Sequence, residues 1–99
     1  MEKKVSIIIN CFNGEKYLKQ TIESILGQEY KNWELIFWDN KSTDNSSMIL
    51  KTYNDERIRY FLASDHTSLY KARNLAAEKA TGDFLAFLDC DDWWNTNFL

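Results

Sequence analysis

The sequence predicts an α/β domain built on a parallel β-sheet. Two observations carry the prediction. Short β-branched or aromatic runs alternate with segments whose apolar residues recur at helical spacing, and the connections between them are brief. That alternation gives βαβ units with helices on both faces of the sheet. A third observation points to function: polar and acidic residues collect after the runs, where such sheets bind ligands beyond the carboxyl ends of their strands.

The first strand is read at Val5 to Ile9, ended by Asn10, Asn13 and Gly14. A helix follows from Glu15 to Leu26, with Tyr17, Leu18, Ile22, Ile25 and Leu26 on one face and Gly27 as its stop. Trp33 to Trp38 is the second strand. It closes on Asp39 to Asp44, whose hydroxyls and carboxylates suit the cap of a second helix, about Asn45 to Tyr53, carrying Met48, Ile49 and Tyr53 inward. Asp44 is read as that cap. Ile58 to Leu62 is the third strand, and Ala63 to Ser68 a polar loop in which His66 is read as a loop residue rather than a ligand. A third helix, Leu69 to Ala80, places Leu69, Ala72, Ala76 and Ala80 on one side. The fourth strand, Phe84 to Leu88, is five apolar residues long, as suits a strand buried on both faces, and opens into Asp89, Cys90, Asp91 and Asp92.

The expected strand order is 3-2-1-4, which makes the first and fourth strands neighbours and brings Cys11 and Cys90 together at one end. They are read as small pocket-wall residues rather than as a disulfide, because two cysteines make no disulfide framework and the chain reads as cytoplasmic.

The 99 residues amount to one domain or part of one. Hydrophobic residues make up 44% and aromatic residues 15%, enough for a core. Twelve basic against fifteen acidic residues give a net charge of -3 with no basic block, which argues against nucleic acid as a partner. No run approaches bilayer length, and no signal peptide is read after Met1.

Three carboxylates within four positions repel one another unless a positive group sits among them. A divalent cation held by Asp91, with Asp89 or Asp92, meets that need; a solvated acidic loop is the plainer alternative. Neither a P-loop nor the dinucleotide fingerprint follows any strand, so a phosphate ligand needs another neutraliser. Mg²⁺ and Mn²⁺ suit this, since they take one or two carboxylates and complete their shell with phosphate oxygens and water. Asp39 is placed to accept hydrogen bonds from a base or ribose, and Phe12 to stack on a base. Arg73 on an amphipathic helix is by default a solvated charge.

Val5 to Gly14, Asp39 to Asp44, Ala72-Arg73-Asn74, and Gly82-Asp83 through Asp89-Cys90-Asp91-Asp92 together resemble, in order and spacing, the motifs of the large family of inverting glycosyltransferases with the GT-A fold (family 2 type), which use nucleotide sugars. The resemblance implies a Rossmann-like, nucleotide-binding half of that fold. By it, Asp91 is the main metal ligand with Asp89, the ion is Mg²⁺ or Mn²⁺, and Cys11, Phe12, Asn13, Asp39, Arg73 and Asp89 surround the nucleotide. The donor is a nucleotide sugar, with uracil favoured as the base. The acceptor is a hydroxyl on a glycan, a lipid-linked sugar or another molecule, as in cell-surface polysaccharide synthesis in the cytoplasm or at the inner face of the membrane. Where the family has Pro-Thr-Tyr-Asn this chain has Asn10-Cys11-Phe12-Asn13, and Asn40 stands where a second acid is common. Family members continue past the point matching Leu99. Residues 1–99 are therefore expected to be the N-terminal, nucleotide-sugar-binding part of a longer enzyme, without the general base and inactive alone.

Two other classes compete: a nucleotidyltransferase-like enzyme, which would want a Gly-rich basic loop after the first strand, and a non-catalytic nucleotide-binding module. Trp93 and Trp94 are read as packing residues. Exposed, they form with the edge of the fourth strand a patch through which the chain dimerises or aggregates.

Overall fold

The computed structural model describes residues 2–99. Its elements are β1 (Val5–Cys11), α1 (Glu15–Leu26), β2 (Trp33–Asp39), α2 (Ser46–Lys51), β3 (Ile58–Leu62), α3 (Leu69–Ala77) and β4 (Phe84–Phe87). The strands are all parallel and stand in the order β3-β2-β1-β4, as the sequence predicts.

The period of two along each strand divides the core between two layers. Ile7, Ile9 and Cys11 of β1 with Leu35 and Phe37 of β2 pack against Leu18, Ile22 and Ile25 of α1 and Leu50 of α2. Ile8, Ile36 and Trp38 face the other way, against Ala72 and Ala76 of α3. Small residues on α3 let it approach the sheet closely. All seven residues of β2 are buried.

Element ends depart from the reading in a consistent way. β1 and β2 run on to Cys11 and Asp39, because the two ends pair with each other and continue the ladder past the polar residues that read as its stop. Helix α2 gives way after Lys51 to turns in which Thr52 N–H and Tyr53 N–H reach back three residues, and α3 tightens in the same way beyond Ala77. On the helices, Tyr17, Met48 and Leu69 were expected inward but are exposed, and Leu50 fills the core position under α2.

β4 requires the largest correction. It pairs only with β1, at the edge of the sheet, and Phe84, Leu85 and Phe87 are 57%, 49% and 47% exposed rather than buried on both faces. The approach to it is fixed by Gly82, where a Cβ would lie 2.6 Å from Ser6 Oγ and 2.8 Å from the Lys4 carbonyl. The two tryptophans also separate. Trp93 is exposed, whereas Trp94 stacks on Phe98 at 4.5 Å and packs against the α1 side of the core, so it does not belong to an open patch.

Candidate functional site

At the carboxyl ends of β1 and β2, on the α3 side, lies a cleft of about 240 Å³ lined by Asn10, Cys11, Phe12, Asn40, His66 and Thr67 and closed by the first residues of α3. Clefts of about 390 and 340 Å³ open at the opposite end of the strands, around Tyr30 and Lys31 and around Trp33 and Arg57. The carboxyl-end cleft is the one that parallel-sheet topology favours for a ligand.

Its walls are polar and held in place. Asn40 donates from Nδ2 to the Thr67 carbonyl (2.8 Å) and accepts at Oδ1 from Thr67 N–H (3.0 Å), which pins the loop before α3 to the end of β2. His66 Nδ1 lies 2.9 Å from the Asn40 carbonyl, and since a carbonyl can only accept, Nδ1 carries the proton. The Phe12 ring rests against His66 with centroids 4.4 Å apart. Asn10 Oδ1 is buried without a hydrogen-bond partner among the described residues, an acceptor left open beside the cleft. The sequence reading set the segments that hold Asn10, Asn40, His66 and Thr67 at this end of the sheet but did not single these residues out as ligand contacts. The available signal was strand parity: even positions of β1 and β2 face α3, so Asn10 and Asn40 fall on the cleft side.

The same parity sends Asp39 to the other face. Its side chain, 2% exposed, accepts at Oδ1 from Ser42 N–H (2.8 Å) and at Oδ2 from Tyr60 O–H (2.7 Å). Burial and this bond push the Tyr60 hydroxyl up to about 12, so it remains a donor. Asp39, which the resemblance sets at the base, is here engaged with the turn after β2 and with Tyr60, and its neighbour Asn40 lines the cleft. Asn13, in a left-handed conformation (φ 55°), is likewise turned to its neighbours: its Oδ1 accepts from Thr43 N–H (2.7 Å) and Asp44 N–H (3.3 Å). Asp44 caps two helices at once, accepting from Ser46 N–H at the start of α2 and from Glu15 N–H at the start of α1. Burial opposes its charge, but the donors prevail and lower its pKa.

Arg73 lies one turn beyond Leu69 on α3, hence on the same helix face as the cleft lining. Its guanidinium is 3.6 Å from Asp89 Oδ1 and sits over the Phe87 ring. The loop that follows β4 is tied down from the opposite side by Thr21 of α1, whose hydroxyl is 2.6 Å from the Asp92 carbonyl and 3.1 Å from that of Cys90. Asp92 Oδ1 accepts from Trp93 N–H. Asp91 is exposed and makes no hydrogen bond or ion pair among the described residues. Cys11 and Cys90 are free thiols whose sulfurs both border the place a Cβ on Gly14 would take. The neighbouring Cys90 thiol, with burial, raises the Cys11 pKa, and the neighbouring Cys11 thiol lowers that of Cys90.

Among the described residues no three His, Cys, Asp or Glu side chains converge as a metal-holding group. Asp89 and Asp91 carry oxygen donors of the kind a hard cation takes beside a diphosphate and water; Asp89 is engaged by Arg73 and Asp91 is exposed.

Comparison with known proteins gives a consistent picture. The sequence profile of the family described as Glycosyl transferase family 2 matches residues 6–99. The putative teichuronic acid biosynthesis glycosyltransferase TuaG of Bacillus subtilis (strain 168) is 39% identical over 97 residues, covering 96% of this chain and 38% of its own length. The Escherichia coli UDP-Glc:alpha-D-GlcNAc-diphosphoundecaprenol beta-1,3-glucosyltransferase WfgD is 40% identical over 95 residues, with the same coverage of 96% and 38%. Among solved structures, S. aureus TarS in complex with UDP-GlcNAc superposes with a TM-score of 0.89 at 30% identity, over 94% of this chain and 28% of that one. The chain therefore spans well under half the length of the relatives it matches. No helix among the described residues is long and apolar enough to cross a membrane.

Proposed function

The chain belongs to glycosyl transferase family 2, and from that premise we propose that it supplies the donor half of an inverting glycosyltransferase that uses a UDP-sugar. The observation that carries the reading is the carboxyl-end cleft, where an aromatic pair and an unpartnered buried acceptor, Asn10 Oδ1, stand on the same side of the sheet as Arg73. Phe12 and His66 offer a stacking surface for a base, and Asn10 offers an acceptor for a base N–H. Cys11 forms part of the wall. Asp39 and Asn13 act from behind, by fixing the turns that present Asn40 and Phe12. The names of WfgD and of the TarS complex, which carry UDP-Glc and UDP-GlcNAc, favour uridine over other nucleosides.

In the proposed reaction an acceptor hydroxyl attacks the anomeric carbon from the side opposite the nucleotide. The bond to the diphosphate breaks, the hydroxyl proton passes to a base, and the configuration inverts. Arg73 stabilises the departing diphosphate through its permanent charge. Mg²⁺ or Mn²⁺ held by Asp91 and Asp89 would neutralise the same leaving group. The name of TuaG, which carries teichuronic acid biosynthesis, and that of WfgD, which carries a diphosphoundecaprenol-linked acceptor, favour an acceptor in cell-surface polysaccharide assembly, and the reading sets the enzyme at the cytoplasmic side of the membrane.

Calorimetric titration with UDP and with GDP, each with and without Mn²⁺, tests the reading. Binding of UDP is expected to require the ion, to exceed that of GDP, and to be abolished by Asp91→Ala. Equal binding with and without Mn²⁺ overturns the Asp91 assignment, and failure to bind either nucleotide overturns the donor-site reading.

A further inference from the structure

Cys11 ends β1 and Cys90 lies in the turn beyond β4, yet the two sulfurs border the same point. The β1–β4 register runs from Val5↔Phe84 to Ile8↔Phe87, and Leu88 N–H bonds to the Ile8 carbonyl at 3.0 Å just beyond it. Carried past the end of β4 into the turn, the same offset counts from Cys11 to Cys90. In front of both sulfurs stands Gly14. A Cβ placed there would be 2.7 Å from Cys90 Sγ and 2.9 Å from Cys11 Sγ, so the two sulfurs flank the one small volume that glycine leaves empty. Cys11 is fully buried and Cys90 half-buried, which makes Cys90 the thiol that a reagent reaches first.

We propose that Cys11 and Cys90 are a modification site: an oxidisable dithiol that closes to an internal disulfide by exchange with a small-molecule disulfide, fastening the acidic loop to the end of β1. In the first step Cys90, as its thiolate, attacks one sulfur of the reagent. Its proton goes to solvent, an S–S bond forms to Cys90, and the other half of the reagent leaves as a thiolate. In the second step the Cys11 sulfur, having released its proton, attacks Cys90 Sγ and expels the remaining half. One reagent disulfide is reduced to two thiols, and two protein thiols are oxidised to one cystine. The bond would join the residue between Asp89 and Asp91 to the strand beneath it. The proposal stands on the placement of both sulfurs against Gly14, independently of what the cleft binds.

The test treats the full chain with oxidised glutathione, blocks remaining thiols with iodoacetamide, and reads intact mass and digested peptides. Wild type is expected to lose two hydrogens, to retain no glutathione, and to yield one cross-linked peptide joining Cys11 to Cys90; dithiothreitol restores two alkylation sites. Cys11→Ser is expected to stop at the first step and keep one glutathione on Cys90. Gly14→Ala, which puts a methyl group between the sulfurs, should shift wild-type closure toward the same mixed disulfide. Two alkylated thiols in oxidised wild type, a retained glutathione, or cross-links only between chains would each overturn the proposal. So would closure of Gly14→Ala to the wild-type extent.

Discussion

Replacing Glu34 by glutamine should remove a pH-dependent part of the stability of the sheet. Glu34 projects from β2 at the amino end, 4% exposed, and meets groups tied to all three other strands. Its Oε2 accepts from Ser6 Oγ on β1 (2.6 Å), and from the N–H (2.7 Å) and hydroxyl (3.0 Å) of Thr81 on the approach to β4. Its Oε1 pairs with Arg59 of β3 at 3.2 Å and with Lys4 at 3.5 Å. Burial alone would raise the carboxyl pKa. Ser6, Thr81 and Arg59 outweigh it and hold the group at about 2, against an ordinary 4.5. At about 1.4 kcal/mol per unit, the difference corresponds to about 3 kcal/mol.

The sign follows from proton binding. Between the two pKa values the unfolded chain binds a proton that the folded chain refuses, so acid favours unfolding there. The contribution is complete above the ordinary value of 4.5 and is lost as pH falls toward 2. The substituted amide cannot titrate, and it offers an N–H₂ group where donors already point. Urea unfolding followed by tryptophan fluorescence across this range measures the gap between wild type and Glu34→Gln. That gap should hold steady near neutrality and shrink by about 3 kcal/mol by about pH 2, the titration of other carboxylates cancelling in the difference. A gap as wide in acid as at neutrality would show that the carboxylate acts through shape alone and refute the electrostatic account.

Two further outcomes follow from the geometry. Thr21→Val keeps the shape of the side chain but removes the hydroxyl that holds the carbonyls of Cys90 and Asp92; stability should fall by about 1 kcal/mol, and calorimetry should show Mn²⁺-dependent UDP binding weakened several-fold, whereas unchanged binding would separate α1 from the loop. The exposed Phe84, Leu85 and Phe87 on an unpaired edge predict self-association: sedimentation velocity should show a coefficient rising with concentration, reduced by Phe87→Lys, and a monomer throughout the series would refute it.

The sheet was legible in the sequence because each strand is a compact apolar run, and because four runs separated by helices leave few ways to pair. Strand ends were less legible. Asn10 reads as a stop because it is polar, yet in a parallel sheet the backbone of β1 goes on pairing with β2 while the side chain turns to the cleft. The burial of β4 was misjudged for a related reason. An apolar run reports what a strand can bury, not what lies beside it, and β4 has a neighbour on one side only. The site was legible by segment and less so by residue. The turn after β2 was identified as part of it; composition draws attention to the charged Asp39, and strand parity adds the neutral Asn40 as a cleft-lining residue.

The acidic loop shows how parity and partners change a charge argument. Read as sequence, Asp89, Asp91 and Asp92 are three negative charges that demand a common counter-ion. In the folded chain they are divided: Asp89 leans to Arg73 on α3, and Asp92 turns back to the Trp93 N–H. Repulsion among its members is therefore no evidence for a cation. What favours a cation is the residue left over. Asp91 is exposed and engaged by nothing among the described residues, so a metal-bound diphosphate could take its carboxylate without breaking an existing contact, while recruiting Asp89 would compete with Arg73. On this reasoning Asp91→Ala should abolish metal-dependent binding, and Asp89→Ala should only weaken it, because Arg73 is then released to the diphosphate that Asp89 no longer helps to hold. An Asp89→Ala loss as complete as that of Asp91→Ala, in the same calorimetric titration, would mean that the two carboxylates act as one ligand set and that the Arg73 pair is not kept in the bound state.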